Sequence, residues 1–269
     1  ESPWSGWEGA EETLLELGKD FDHCILGIPV SVFPAIAKQL TETSSPSHAP
    51  QWRSMVDGMK VIQTISAQLW FRQPMSELTS NPYGMLTSYA LPGPSMGDFS
   101  HLLQWEPRGR EDGGPKGLSY HTGSLVEITT AQGYPDAGRD YPAKEAARWR
   151  NLFAEWLEES YKGLFDGIPS YRDMLSNLAA PDGTEGRARL DTQFFNISVH
   201  PSDHYVLSQP NAIGLRLGQT ESWVQGLMLC GDWTRTDLNC GCVEASTQSG
   251  MLASRALSNE PRYIWHPGF

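Results

Sequence analysis

The stretch GLMLCGDWTRTDLNCGCVEASTQSGMLASRAL, residues 226–257, decides the fold of this 269-residue chain. Residues 227–230 are a short apolar run, which predicts a strand that ends at Gly231 and Asp232. A polar, turn-prone run follows, and the small residues from 242 to 257 predict a helix. The free N–H groups of a first helical turn point outward, and the helix dipole adds roughly half a positive charge there. This order therefore predicts one wall of a site for an anionic or electron-rich ligand.

The pattern GD-W-T…N-x-G-C-V-E-A-S-x-x-S-G within this stretch resembles the C-terminal flavin-contact motif of the FAD-dependent amine oxidase and carotenoid (phytoene) desaturase superfamily. In that family the Asp after the strand contacts the ribityl or diphosphate part of FAD, and the following helix directs its first N–H groups at the isoalloxazine carbonyl. The resemblance implies FAD as the cofactor and gives Asp232 the ribityl/diphosphate role. It assigns these residues to the cofactor: Gly231, Asp232, Trp233, Gly241, Cys242, Val243 and Glu244. The alternative is a strand–loop–helix unit whose small residues only allow close packing.

A second resemblance lies near the start of the chain. Alternation over 13–17, a Gly-containing turn at 18–20 and an apolar run over 21–28 predict a hairpin with a buried second strand. Residues 32–40 then have helical spacing. This order is similar to the family's return strand to the FAD lobe, and it implies that the backbone of Pro29 and Val30 approaches the cofactor.

FAD enzymes of this superfamily also contain a strand–Gly-x-Gly-x-x-Gly–helix unit that binds the diphosphate. The 269 residues contain no such unit. We therefore expect the class to be α/β (α+β mixed), as the C-terminal part of an FAD/NAD(P)-binding Rossmann-like fold with a substrate-binding β-sheet lobe. The expected division is a hairpin and return strand over 1–40, the substrate lobe over 41–188 and an FAD-contacting segment over 189–269. The expected partner is an N-terminal FAD-binding chain or a missing segment of the same protein.

Periodicity predicts three further elements of the substrate lobe. Residues 60–71 alternate and are rich in β-branched and aromatic types, which predicts a long strand. Residues 118–125 predict another strand, which carries His121. Residues 143–164 predict a helix whose aromatic stripe belongs to the core.

The segment 189–217 is similar to the part of the family that crosses the substrate side of the flavin. The resemblance therefore makes four polar residues candidates for the substrate: Asn196, His200, His204 and Tyr205. Trp70 is a further candidate, with the core as the alternative, and His200 could instead belong to a β-turn. Arg216 pairs with a carboxylate or phosphate, or forms an ordinary ion pair.

The composition excludes several classes of function. A net charge of −12 argues against nucleic acid and against anionic membrane surfaces as partners. No apolar run reaches the roughly 18 residues of a membrane helix. Four cysteines do not make a disulfide framework, and a reducing cytoplasm fits them. Cys240-x-Cys242 indicates either metal or redox chemistry, or two small residues beside a helix N-terminus; we predict no metal site.

The resemblance implies an oxidoreductase whose flavin accepts a hydride from a C–N or C–C bond of a small organic substrate. Such enzymes often lack a dedicated acid or base, so no catalytic residue is predicted. Amine oxidation requires an aromatic cage, for which Trp233 could supply one wall. An isoprenoid- or carotenoid-type dehydrogenase is the alternative within the family. The alternative outside it is a non-catalytic half of a flavoprotein that serves as a binding or assembly subunit.

Overall fold

The computed structural model describes residues 4–6, 9, 12–41, 49–80, 95–98, 100–105, 113–124, 129–130 and 136–265. The chain forms two compact units. Unit 1 comprises Glu1–Ile62, Glu127–Pro142 and Val199–Phe269, and unit 2 comprises Gln63–Val126 and Ala143–Ser198. Both helices and strands are present, with parallel and antiparallel pairing, so the predicted α/β (α+β mixed) class is confirmed.

The strands of the described residues are β1 (Cys24–Leu26), β2 (Lys60–Ile62), β3 (Ile65–Phe71), β4 (Ser95–Asp98), β5 (Gly117–Gly123), β6 (Thr129–Thr130), β7 (Phe194–Ile197), β8 (Tyr205–Val206) and β9 (Leu227–Leu229). The α-helices are α1 (Phe33–Ile36), α2 (Lys38–Thr41), α3 (Ala49–Gly58), α4 (Met75–Leu78), α5 (Tyr141–Leu164), α6 (Tyr171–Asn177), α7 (Arg187–Asp191) and α8 (Val243–Ser258). Among them, no helix is both long enough and apolar enough to span a membrane.

Unit 2 is built on an antiparallel sheet of order β4-β5-β3-β7. Alternate residues of β3 are fully buried, as period-2 patterning requires, and α5 packs its aromatic stripe on them. Trp149 of α5 also donates from Nε1 to Oε1 of Gln63, 3.1 Å away. The stripe is therefore core, as predicted.

Unit 1 contains two small sheets. Strands β1 and β9 pair in parallel, with Cys24 opposite Leu227, and β6-β2-β8 form an antiparallel sheet. The core beneath them is centred on Trp52 of α3, Phe33 and Trp233, all with 1% exposure or less. This unit contains the predicted cofactor residues.

The predictions for residues 13–28 are wrong in detail. Residues 12–16 form no strand: they are exposed, and the hairpin reduces to a turn at 18–20 closed by one bridge between Leu17 and Phe21. The predicted buried strand over 21–28 is limited to β1, whose Cys24 and Ile25 are exposed because β9 is its one partner strand among the described residues.

The predicted strand over 60–71 is two strands in different sheets. It divides at Gln63 and Thr64, since β2 pairs with β8 and β3 pairs with β5 and β7. The predicted helix over 32–40 is likewise broken at Ala37 into α1 and α2. By contrast, β5, β9, α5 and α8 follow their predicted positions closely, although position 125 lies outside the described residues.

Candidate functional site

The segment of residues 227–258, which we call the β9–α8 segment, turns sharply at Gly231. This residue has φ +127°, and a Cβ there would lie 2.5 Å from Nε1 of Trp233, so both backbone and space require glycine. Its N–H donates to Oγ of Ser249, 3.0 Å away, and its carbonyl accepts from the hydroxyl of Thr234 at 2.8 Å. Buried Ser249 thus ties the end of β9 to the middle of α8.

The loop between β9 and α8 is held by side-chain hydrogen bonds. Asn239, with φ +49°, accepts from the N–H of Thr236 and donates its own N–H to the Thr236 hydroxyl, both at 3.1 Å. The hydroxyl of Ser208 donates to the Asn239 carbonyl at 2.6 Å, and Gln248 of α8 accepts from the N–H of Asp237 at 2.9 Å. These contacts fix the path by which the chain enters α8.

Helix α8 begins after Cys242, which is its N-cap in extended conformation. The sulfur of Cys242 accepts from the N–H of Ala245 at 3.3 Å, so one of the free donors of the first turn has a partner. Val243 and Glu244 follow and are both exposed, Val243 to 76%. The carboxylate of Glu244 complements the positive end of the helix dipole.

Arg216 is a buried cation of this site. It is 1% exposed, and Nη1 donates to the carbonyl oxygens of Asp232 and Thr234. Its Nε and Nη2 are buried and have no hydrogen-bond partner within the described part of the chain. Arg216 therefore contacts backbone carbonyls rather than forming a close ion pair, and the sequence signal for its burial is the apolar pair Leu215 and Leu217 around it.

The Asp232 carboxyl is partly buried beside this guanidinium. Burial raises the pKa of Asp232, and the positive charge of Arg216 opposes that rise. Burial likewise lowers the pKa of Arg216, and the negative charge of Asp232 opposes it. The charge of each group thus offsets part of the free-energy cost of burying the other. The Asp232 carboxyl lies at the end of β9, where it can accept a hydrogen bond when ionised.

Gly241 lies against β8 and close to Asp232. A Cβ at this position would be 2.6 Å from the carbonyl oxygen of Val206, 3.1 Å from Cδ1 of Tyr205 and 3.5 Å from Oδ2 of Asp232. The structure therefore brings together four predicted site residues: Asp232, Gly241, Cys242 and Tyr205. Tyr205 is 49% exposed beside them.

Three further predicted cofactor residues lie in or beside the core of unit 1: Trp233, Val30 and Pro29. Trp233 is 1% exposed and packs edge-on to Phe33 with ring centroids 4.9 Å apart, and Val30 is 2% exposed in the same cluster. In this position Trp233 is a core residue and presents no aromatic face for a cage. Pro29 is half-buried and precedes a short 3-10 helix, Val30–Val32.

The remaining substrate candidates are dispersed. In unit 1, His200 packs on Trp4 with ring centroids 5.4 Å apart. The backbone of His200 is extended, and the 3-10 turn Pro201–Asp203 follows it directly. His204 has a buried Nε2 for which the described residues offer no partner, and burial lowers its pKa. In unit 2, Trp70 is 4% exposed in a small apolar cluster and exposed Asn196 pairs with Ser66 of β3. Trp70 is therefore a core residue. On β3 it lies four residues from Ser66, the residue that pairs with Asn196.

Two surface clefts of the described residues, one in each unit, lie elsewhere. One of about 470 Å³ in unit 2 is lined by the residues just after β3 and by α6, including Arg72, Gln73 and Asn177. One of about 420 Å³ in unit 1 lies at the start of β9, beside His23 and Trp223. No predicted site residue lines either cleft. Nor do the described residues hold three or more His, Cys, Asp or Glu side chains arranged for a metal ion.

Comparison with known proteins gives a distant likeness to solved structures. No protein-family model matches the sequence, and no curated protein matches it. Among solved structures the chain is similar to the crystal structure of an oxidoreductase from Methanosarcina mazei, with 13% identity and a TM-score of 0.40. The similarity covers 90% of this chain and 44% of that one, so the chain spans less than half of that protein's length.

Proposed function

We propose that this chain supplies the C-terminal cofactor-contacting part of an FAD-dependent oxidoreductase. The observation that carries the proposal is the Asp232 carboxyl, partly buried beside the Arg216 guanidinium where β9 ends and α8 begins. When bound, the flavin would accept a hydride from a C–N or C–C bond of a small organic substrate. The residues of this chain would orient it and exclude water.

The chemistry of Asp232 favours the ribityl chain as its ligand. An ionised carboxylate only accepts hydrogen bonds, and it repels a diphosphate. The ribityl hydroxyls are donors, so they suit Asp232, whereas the diphosphate does not. The neighbouring charge of Arg216 favours the ionised, accepting form of Asp232 against the effect of burial.

The start of α8 suits an electron-rich edge of the flavin. Cys242 caps one N–H of the first turn, and the exposed side chain of Val243 leaves this end of the helix open to a ligand. Backbone N–H groups and the helix dipole stabilise negative charge that develops on a carbonyl oxygen. Tyr205 would border the same space and is the aromatic ring we assign to the substrate side.

The small parallel sheet supports a further FAD-binding segment or partner chain. Parallel sheets are normally buried on both faces and contain more than two strands. Within the described residues β1 and β9 pair with each other alone, and Ile25 of β1 is 51% exposed. We propose that strands of a Gly-rich, diphosphate-binding unit extend this sheet.

The experiment is an absorption spectrum of the purified chain, followed by titration with FAD, for the chain alone and co-expressed with a Gly-rich FAD-binding segment. We expect oxidised-flavin bands, and an FAD affinity that Asp232→Ala lowers about 10- to 100-fold, as for a hydrogen bond to a charged group. Asp22→Ala removes an exposed carboxylate of the same unit and should leave the affinity unchanged. A colourless chain that rejects FAD under both conditions would contradict the proposal and favour a non-catalytic subunit.

A further inference from the structure

The sulfur atoms of Cys240 and Cys242 are in contact. They lie 3.4 Å apart on either side of Gly241, and both side chains are partly exposed free thiols. Residues two apart in sequence are separated by at most about 7 Å between Cα atoms. That limit overlaps the roughly 4.4–6.8 Å found across disulfides, so the two sulfurs can bond after a small local movement.

The two thiols differ in their surroundings. Cys242 is the N-cap of the 16-residue helix α8, and its sulfur accepts the N–H of Ala245. Burial, together with the neighbouring Cys242, raises the pKa of the Cys240 thiol. Cys242, whose sulfur receives a backbone N–H, is therefore the first thiol of the pair to react, and Cys240 is the second.

We propose that Cys240 and Cys242 form a redox-active dithiol that reduces low-molecular-weight disulfides of the glutathione type. The Cys242 thiolate attacks one sulfur of the disulfide, which forms a mixed disulfide and releases one thiolate. Cys240 then loses its proton to solvent, and its sulfur attacks Sγ of Cys242 and releases the second thiolate. Two protein thiols lose two electrons, and one disulfide becomes two thiols, which take up protons from solvent.

The other two cysteines are an internal control. The register pairs Leu26 with Leu229, so Cys230 lies opposite Gly27, three residues along the sheet from exposed Cys24. Three strand residues span about 10 Å, which is too far for a disulfide. Cys24 and Cys230 should therefore react singly.

A disulfide between Cys240 and Cys242 would alter the loop of the candidate flavin site. Gly241 between the two sulfurs contacts the backbone of Val206 and lies close to Asp232, so a bond across Gly241 would reshape the loop beside that carboxylate. An effect of oxidation on flavin affinity rests on the proposed function. The thiol–disulfide exchange itself requires no flavin, so the two can fail separately.

The test treats the folded chain with oxidised glutathione, alkylates the remaining thiols and maps the tryptic peptides. Cleavage after Arg235 and Arg255 places both cysteines in one peptide, residues 236–255. We expect this peptide to lose two hydrogens and resist alkylation, faster in the folded chain than in the isolated peptide. The peptides with Cys24 and Cys230 should be alkylated or carry one glutathionyl group each.

Single substitutions separate the two steps. Cys240→Ser should stop at the mixed disulfide and retain a glutathionyl group on Cys242, which the wild type releases. Two alkylated thiols in the wild-type peptide after the same exposure would overturn the proposal. So would a wild-type peptide that retains glutathione as fully as Cys240→Ser, or an isolated peptide that closes as fast as the folded chain.

Discussion

His121 of unit 2 and Arg216 of unit 1 are both basic side chains that the fold buries completely, and they respond in opposite ways. His121 is 0% exposed, shares a 2.9 Å hydrogen bond with the Ser119 hydroxyl and packs against Phe153 and Trp156. Burial lowers its pKa to about 3, so at neutral pH it is an uncharged core residue. Burial lowers the pKa of Arg216 as well, but an arginine starts so high that it keeps its proton.

Of these two buried residues, Arg216 of unit 1 stays charged at neutral pH and His121 of unit 2 does not. A histidine avoids the desolvation of a buried cation by releasing its proton, whereas a buried arginine needs an anion nearby. Asp232 supplies that anion at the end of β9, beside the start of α8. A buried charge with a specific charge partner makes a position a candidate functional site, whereas the pKa shift of His121 comes from burial alone.

The largest expected effect is that of Arg216→Met. The carbonyls of Asp232 and Thr234 lose their donor, and the Asp232 carboxylate loses the cation that opposes its burial. We expect the free energy of unfolding to fall by about 2–3 kcal/mol in urea denaturation. Arg262→Met, at a side chain 90% exposed, should change it by less than about 0.5 kcal/mol.

A double variant tests whether charge is the cause. Arg216→Met combined with Asp232→Asn removes both charges, so about 1 kcal/mol of the loss should return as coupling energy. Strictly additive effects of the two substitutions would mean that Arg216 acts through packing and its backbone hydrogen bonds, and not through the charge of Asp232.

The next effect is the pH dependence that His121 confers. Its folded-state pKa of about 3 lies below the ordinary 6.5, so below pH 6.5 the unfolded chain takes up a proton that the folded chain refuses. Stability should therefore fall as the pH falls, by about 2 kcal/mol between pH 7 and pH 5. Urea denaturation of the wild type and His121→Leu at both pH values measures it, since the variant lacks this contribution.

Exposed His23 is the matched control for His121. His23→Leu should retain the fall in stability between pH 7 and pH 5 that His121→Leu reduces. An equal pH dependence in the wild type and His121→Leu would show that His121 titrates normally and that the contrast with Arg216 fails.

The smallest effect distinguishes two glycines of the β9–α8 segment. Gly241→Ala brings a Cβ to 2.6 Å from the Val206 carbonyl, so the loop must shift and we expect a loss of about 1–2 kcal/mol. Gly250→Ala, inside α8 with nothing within 4 Å of its Cβ, should instead gain about 0.5–1 kcal/mol. Thermal unfolding measures both, and a gain in both variants would mean that the loop does not lie against β8.

Local patterns in the sequence predicted the elements that carry their own periodicity or cap. The aromatic stripe of α5 and the small-residue helix α8 after Cys242 are visible in the sequence because each is set by neighbours within a few residues. The predicted strand over 13–17 failed because strand pairing needs a partner, and exposed residues 12–16 have none among the described residues. The division at Gln63 and Thr64 was equally hidden, since it depends on Trp149 and Ser198 far along the chain.

The site could be predicted in outline, but its electrostatics could not. The Gly-Asp end of β9 and the N-cap of α8 follow from the sequence. The burial of Arg216 depends on the carbonyls of Asp232 and Thr234, 16 and 18 residues away, and the contact between Cys240 and Cys242 follows the left-handed turn at Asn239. The apolar neighbours Leu215 and Leu217 indicate that Arg216 is buried, but its carbonyl partners and the sulfur contact arise from the folded loop and have no local pattern.

Binding of the ribityl chain by Asp232 is tested most directly by a matched pair of ligands. Riboflavin and lumiflavin share the isoalloxazine ring, but lumiflavin has a methyl group in place of the ribityl chain. We predict that the wild-type chain, alone or co-expressed with the Gly-rich segment, binds riboflavin about tenfold or more tightly than lumiflavin, as a hydrogen bond to a charged group implies, and that Asp232→Ala binds both equally. A wild-type chain without this preference, or a preference that survives in Asp232→Ala, would contradict the role of Asp232.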